Sequence, residues 1–495
     1  MRTKLQGGTV VAYNGQSHVL IRDGIVVWEN DQITYVGQDD GQPADRTLSA
    51  DDRLIIPGLI NLHWHGGVRA NWRLTSDHGD LQFFGAGFPN TDAGLRGSSY
   101  AVSEEESEVA ATLNVLELLS GGCTTLVEVG GPIGYVSQLV RQVKRFGVRA
   151  YLGPGYRSAS YSRNDRGVVQ YDWDEATGQA GLETACDFIQ EHDGAANGRI
   201  RGMLFPLQAD TCTPELLQAT AHAARDMRVP VQIHTGQNLM EFHQTLRRYG
   251  RTPVELLADA ELLGPSTILG HCIMVSGHPQ AHYPDGNDLD LIAMARTHVA
   301  HCPVSLARRG MHLHHLTGYL AHGINVGLGT DIHPFDLIRE MRDAGLVGKV
   351  AAESPNSGTA RDVFNAATLG GATALGRSDL GRLCPGAKAD MVIVNQQALH
   401  YGAIFDPIRS LVDCGVASDV ETVVVDGNIL MENRRIPDAP SLPALLQQAQ
   451  RFAEDYWAAY PQLDWNSRSA SEAFANAFPW AETLAGSTQN LPGSS

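Results

Sequence analysis

The sequence predicts an α/β protein, a TIM-like (β/α)8 barrel carrying a small β-sandwich domain formed from both chain ends. Three observations predict it. Eight short apolar strand patterns alternate with amphipathic helical patterns through the middle of the chain. Hairpin-like β material stands near the start and again after residue 388. Residues with ligand or acid–base chemistry fall at the ends of the strand patterns, the face on which such a barrel carries its chemistry.

In order, residues 9–13, 19–21, 24–28 and 33–37 are runs of β-formers punctuated by Asn14-Gly15, Asp23-Gly24 and Asn30-Asp31, the turn chemistry of antiparallel hairpins. Matching material returns at 389–394 and 420–425, the latter followed by Asp426-Gly427. A β unit split between the two ends implies an inserted domain. The strand patterns of that insert lie at 59–65, 123–129, 150–153, 202–207, 231–234, 267–271, 299–303 and 325–330. Helical patterns separate many of them, at 104–120, 137–146, 214–227 and 253–263. The expected division is 1–56 with 382–440 as the sandwich and 57–381 as the barrel. Residues 441–495 are expected to be a helical extension (442–456) with a disordered tail from 486. That helix is expected to cover the barrel or a partner subunit, in a homo-oligomer of two or more chains.

Composition bounds the function. The chain has 495 residues, 43% of them hydrophobic and 19% charged, which suits a large core. A net charge of −18 with no Lys/Arg run longer than a pair argues against nucleic acid or an anionic membrane as partner. The start lacks an apolar signal region and no apolar run approaches a membrane span. Seven scattered cysteines without a Cys-x-x-Cys suggest reduced thiols and a cytoplasmic location.

The first barrel strand ends in His63-Trp64-His65. Alternation on a strand turns His63 and His65 to one side, about 7 Å apart, and Trp64 to the other. The fifth strand ends in His234, the sixth in His271 and the eighth runs into Asp331. Four histidines and a carboxylate therefore converge on one mouth. Three histidines, one aspartate and a water suit Zn²⁺, or alternatively Fe²⁺, with a position left open for chemistry. Such an ion generates a nucleophile from water, and Asp331 is able to accept its proton.

The ordered set Pro57-Gly58-Leu59-Ile60-Asn61-Leu62-His63-Trp64-His65, Thr124-Thr125, His234, His271-Cys272, His301-Cys302-Pro303-Val304-Ser305 and Gly327-Leu328-Gly329-Thr330-Asp331 resembles the amidohydrolase superfamily. So do Ala366-Ala367-Thr368, Ala372-Thr373-Ala374-Leu375-Gly376 and Pro385-Gly386-Ala387-Lys388-Ala389-Asp390. The likeness is nearest to the triazine hydrolase and aromatic deaminase branch, with its atrazine chlorohydrolase-like and guanine deaminase-like enzymes. It implies His63, His65, His234 and Asp331 as ligands of one divalent ion per subunit, with His271 beside it as a catalytic group. The fourth strand end, Pro206-Leu207-Gln208, has no lysine, so the binuclear version with a carbamylated lysine is not expected.

The sequence departs from the branch at Gln237. Its deaminases carry His-x-x-Glu after the fifth strand, whereas this chain has His234-Thr235-Gly236-Gln237. An amide hydrogen-bonds but does no carboxyl acid–base work. Proton movement then falls on Asp331 and His271, unless Glu241 takes the glutamate's place. Candidate substrate contacts are Trp72, Phe84, Gln237, Arg308 and His333, with Arg309 beside them; the aromatic-rich segment 66–103 (also Phe83 and Phe88, with Arg73, Asp77 and His78) is expected to be a lid. Asp336 is a further residue able to face the pocket, while His312, His314 and His315 are expected at the surface or against substrate. The expected reaction is hydrolytic deamination at an electron-poor carbon of a nitrogen heterocycle. Displacement of another group such as chloride, and hydrolysis of amides, ureas or carbamates, are the alternatives; a non-catalytic assembly barrel is disfavoured by the full ligand set.

Overall fold

Strands Arg2–Tyr13, His18–Glu29 and Gln32–Gly37 form a meander, turned at Asn30, which takes the left-handed φ of 55° that asparagine tolerates. This is the computed structural model of the chain, and it describes residues 1–67, 70–74, 100–166, 168–313 and 316–480. Material from the two chain ends meets in a single hydrogen-bonded path. Strand Arg53–Pro57 pairs in parallel with Arg2–Tyr13 on one side and antiparallel with Met391–Asn395 on the other, and Val420–Val425 and Asn428–Met431 continue the sheet. Leu5, Val10, Val26, Trp28 and Ile55 from the start share one buried cluster with Met391, Ile393 and Val424 from the end.

Strands Leu59–Trp64, Cys123–Glu128, Arg149–Leu152 and Ile200–Gly202 form one parallel sheet. Val231–Thr235, Thr267–His271, His298–His301 and Val326–Leu328 form a second. Parallel bridges join the two at both seams, Leu204 to Val231 and Gln208 to His234 at one, Trp64 to Asp331 at the other. Apart from Arg201, these strands are buried along their whole length, as parallel strands covered on both faces must be. The third expected strand is found as Arg149–Leu152, while the fourth, expected over 202–207, is split into Ile200–Gly202 and Phe205–Pro206. Short pieces Gly155–Tyr156 and Phe205–Pro206 pair with one another beyond the break. Pro154, between Arg149–Leu152 and Gly155–Tyr156, has no N–H to give the ladder, and Pro206 ends the Phe205–Pro206 piece.

Helices Glu104–Ser120, Pro214–Met227 and Leu239–Tyr249 start at Ser103, Thr213 and Asn238, each accepting a backbone N–H with its side chain. A hairpin of Ala159–Arg163 with Val169–Trp173 precedes helix Glu175–His192 and has no counterpart among the expected elements. The helix expected over 253–263 is shorter, Pro253–Asp259. Two features tie the parts together. Arg149, on the third strand, donates to Asp390 at 2.6 and 3.0 Å and to Asp426 at 2.5 Å, so the Lys388-Ala389-Asp390 stretch of the end sheet is clamped to the parallel strands. Helix Leu442–Leu463 packs on Glu104–Ser120 and on the short helix Ala70–Leu74, where Trp457 Nε1 donates to the Ala70 carbonyl at 2.9 Å. Among the described residues no helix is long and apolar enough to cross a membrane. The tail expected to be disordered (486–495) lies outside the described residues, as does most of the lid segment, with Phe83, Phe84, Phe88, Asp77 and His78.

Candidate metal centre

His63 and His65 leave strand Leu59–Trp64 on one side, and Trp64 leaves on the other to pack edge-on against Phe335 with centroids 5.3 Å apart. The last strand is locked beside the first by a reciprocal exchange. Asp331 N donates to the His63 carbonyl at 2.9 Å, and His65 N donates to the Asp331 carbonyl at 2.7 Å. Two glycines make room for the His63 ring. A Cβ on Gly329 would stand 2.6 Å from both His63 Cβ and its carbonyl oxygen, and one on Gly270 would stand 2.9 Å from His63 Cε1. Asn61, two residues before His63, accepts from Thr330 N at 3.2 Å and donates to Thr330 Oγ1 at 2.8 Å, which fixes the turn into Asp331.

The side chains then meet. His63 Nε2 and His65 Nε2 lie 3.6 and 3.5 Å from Asp331 Oδ1. His65 Nε2 and His234 Nε2 are 2.9 Å apart. The His271 ring lies 4.7 Å from that of His63 and 5.4 Å from that of His234, centroid to centroid. His63, His234 and His271 form one group with ligand-atom spacing, and His63, His65 and Asp331 another.

The outer side of three rings is already committed. Gln232 Nε2 donates to the Leu62 carbonyl at 2.9 Å, which turns its oxygen to accept from His63 Nδ1. His234 Nδ1 donates to the Leu207 carbonyl, and His65 is hydrogen-bonded to the backbone of Val129. Each ring therefore keeps its proton outside and turns a bare Nε2 inwards, the tautomer that ligating histidines adopt. Burial lowers the pKa of His65 to about 4, with Asp331 opposing and His63 assisting, and it lowers His234 and His271 well below the ordinary imidazole value. Burial works to raise the pKa of Asp331, and positive charge on the His63, His271 and His65 side of the carboxylate, which a bound cation would supply, works to hold it well below the carboxylate range. Neutral nitrogen lone pairs facing one another beside a carboxylate are a poor arrangement for protein alone. A divalent cation with a taste for nitrogen and oxygen is their complement, so the residues fit the group.

His271 is fully buried and neither ring nitrogen has a hydrogen-bond partner. It also has φ of 69°, Cys272 of 49° and Asp331 of 55°, left-handed values that non-glycine residues adopt at a cost. Strain of that kind, about 1–3 kcal/mol per residue, collects where side chains must be aimed for a task.

The other expected residues distribute as follows. Gln237 is buried, and its Oε1 has no partner. Glu241 stands in the first turn of helix Leu239–Tyr249 with both oxygens engaged. Oε1 accepts from Gly236 N at 2.7 Å, while Oε2 accepts from Gln237 N at 2.7 Å and Gln208 Nε2 at 3.3 Å. It is an anchor for the turn that carries Gln237. Trp72 stacks on His333 (6.3 Å, 19°) and meets the edge of His65 at 6.5 Å. Arg308 Nη1 donates to the His333 carbonyl at 2.7 Å. Asp336 caps helix Leu337–Ala351. His312, half-buried, accepts from His278 Nε2 through its carbonyl at 3.1 Å. Phe84, His314 and His315 lie outside the described residues. Three contributors escape the sequence reading, Asn61, Gln232 and Ser305, while Arg309, expected near substrate, is turned instead to Ser305. The first two carried a signal, a polar residue two before a histidine in an otherwise apolar strand and therefore on the same side.

The family model for the "Amidohydrolase family" matches residues 54–430. A 5-methylthioadenosine/S-adenosylhomocysteine deaminase of Natronomonas pharaonis is 31% identical over 431 residues, covering 86% of this chain and 92% of that protein. Among solved structures, an adenosine deaminase from Xanthomonas campestris with bound zinc superposes with a TM-score of 0.77 (22% identity, 92% of this chain and 98% of that one). An atrazine chlorohydrolase from Arthrobacter aurescens, complexed with zinc, gives a TM-score of 0.75 (22% identity, 91% and 100%). At that identity the two structures speak for the fold alone.

Proposed function

The chain belongs to the amidohydrolase family, and on that footing we propose that it is a metal-dependent hydrolase that deaminates a nitrogen heterocycle at an electron-poor ring carbon. The observation that carries this is the convergence of three inward Nε2 atoms and Asp331 Oδ1 beside a buried His271 with both ring nitrogens uncommitted. The deaminase relative supports the choice of an exocyclic amine as leaving group.

We assign His63, His65, His234 and Asp331 as the ligands of one divalent ion per chain, Zn²⁺ or alternatively Fe²⁺. When bound, that ion supplies the Lewis acidity that brings the pKa of water towards neutrality. The rest is done by the chain's own groups. Asp331, ionised in its buried place, takes the proton of the attacking water. His271, neutral, donates a hydrogen bond to the oxygen of the attacking water and steadies it as it adds to the ring carbon. The proton held by Asp331 passes to the substrate, the C–N bond breaks, and ring amine plus water become ring carbonyl plus ammonia. Trp72 and His333 form an aromatic wall suited to a planar ring. Gln237 contributes a hydrogen-bond donor or acceptor and no proton.

The same reading takes residues 57–381 as a (β/α)8 barrel, supported by bridges at both seams, and 1–56 with 382–440 as the accompanying sandwich domain. The test is a panel of 5′-modified adenosines, other purines, pterins, pyrimidines and triazines, scored for ammonia and for other leaving groups. Ammonia release from at least one ring amine supports the proposal; turnover of linear amides or ureas alone would sink it. A specific observation favours a second reading. With Gln237 in place of an acid, a group such as chloride that leaves without a proton is easier to displace.

A further inference from the structure

Two arginines follow the short helix Pro303–Ala307, and the sequence invites both to meet an anionic substrate. Arg308 is exposed and holds the His333 carbonyl. Arg309 turns the other way. Its Nη1 donates to Ser305 Oγ at 2.9 Å and to the Ser305 carbonyl at 3.2 Å. Ser305 is buried, and its Oγ donates to Asp331 Oδ2, while Asp331 Oδ1 faces His63 and His65.

A serine hydroxyl has one hydrogen and two lone pairs, and it rotates to suit its surroundings. With the guanidinium occupying a lone pair, the hydroxyl hydrogen is left to Asp331. That bond spends Oδ2 and leaves Oδ1 pointing into the cluster of imidazoles. We infer that Arg309 is a positioning residue which, through the Ser305 hydroxyl, fixes the carboxylate of Asp331 in the rotamer that completes the metal centre, and is not a receptor for the substrate. This rests on the metal assignment above.

The test needs no substrate. Zn²⁺ affinity of the metal-free protein is measured by competition with a chromophoric chelator, and the visible spectrum of the Co²⁺-loaded protein reports ligand geometry. Arg309→Met is expected to weaken zinc binding by about tenfold and to alter the cobalt bands, the scale of loss seen when a partner of a metal ligand is removed. Arg309→Lys, which keeps a charged donor, should stay closer to wild type. Ser305→Ala should lose at least as much, and Ser305→Ala with Arg309→Met should lose no more than Ser305→Ala alone, because the arginine acts only through the hydroxyl. Unchanged zinc affinity and cobalt spectrum in a folded Arg309→Met variant overturn the inference, as do losses that multiply in the double variant. If the wild-type protein binds neither ion, the metal assignment itself fails and takes the inference with it.

Discussion

His65 and His234 bring their Nε2 atoms to 2.9 Å with the rings stacked at 9°, while each ring is hydrogen-bonded elsewhere to a backbone group. Two lone pairs at that distance repel unless a cation lies with them. The protein is therefore expected to hold one divalent ion per chain. Exhaustive chelation should abolish activity and lower the unfolding temperature, and Zn²⁺ should restore both, since an ion that binds only the folded chain stabilises it. His63→Ala, His234→Ala and Asp331→Ala should each remove most activity. Elemental analysis finding two tightly bound ions per chain, or full activity after chelation, contradicts this.

His271 is held in a left-handed conformation with both nitrogens uncommitted, which suits the catalytic role proposed for it. His271→Ala should leave the chain folded and able to load metal. Its kcat should fall by about two to four orders of magnitude, the range for losing a group that stabilises charge or moves a proton. A change confined to KM would show that His271 only binds substrate.

Arg149 and Asp390 should dominate the junction between the parallel strands and the end sheet. Both side chains are 3% exposed and the contact is bidentate. Removing one member of such a pair strands the other charge, a cost of about 3–5 kcal/mol. Asp390→Ala should lower stability on that scale in chemical denaturation, although Asp426 retains one contact with Arg149. A loss below about 1 kcal/mol would mean the junction behaves like an exposed ion pair.

The sequence made the site more legible than the surroundings that tune it. His63, His65, His234, His271 and Asp331 each close or follow an apolar β-run, and a strand end in a parallel α/β fold is a defined place. Asn61 and Gln232 were readable by alternation, yet a lone amide in a buried strand carries little signal until its partner is known. Ser305 and Arg309 depend on how the turn after Pro303–Ala307 packs against the last strand, which no local pattern encodes. The break at Pro154 was visible as a proline, but the pairing of Gly155–Tyr156 with Phe205–Pro206 is tertiary. The hairpin at 159–173 hid because its strands are only partly buried and rich in polar residues.

Gln237, buried with its Oε1 unpartnered, is the residue that bears most directly on the proposed substrate class. A deamination needs a proton delivered to the departing amine, and in this branch a glutamate in the His-x-x-Glu run does so. Here the side chain is an amide, and Glu241, the nearest replacement in sequence, has its oxygens taken by Gly236 N, Gln237 N and Gln208 Nε2. Burial, with Asp210 nearby, raises the pKa of Glu241 well above the ordinary carboxylate value, but with its oxygens held by the turn it is poorly aimed for proton transfer. On the proposed mechanism the proton would then travel by Asp331 and His271 alone, which would limit turnover of substrates with a basic leaving group. Gln237→Glu is therefore expected to raise kcat for ammonia release by at least about tenfold, the lower part of what a positioned acid contributes. Displacement of chloride from a matched ring should change little, because chloride leaves without a proton. The comparison is made on one ring carrying either group, with ammonia and chloride measured in parallel. Equal effects on both leaving groups, or a fall in ammonia release, would show that residue 237 orients the ring and that proton delivery is already complete without it.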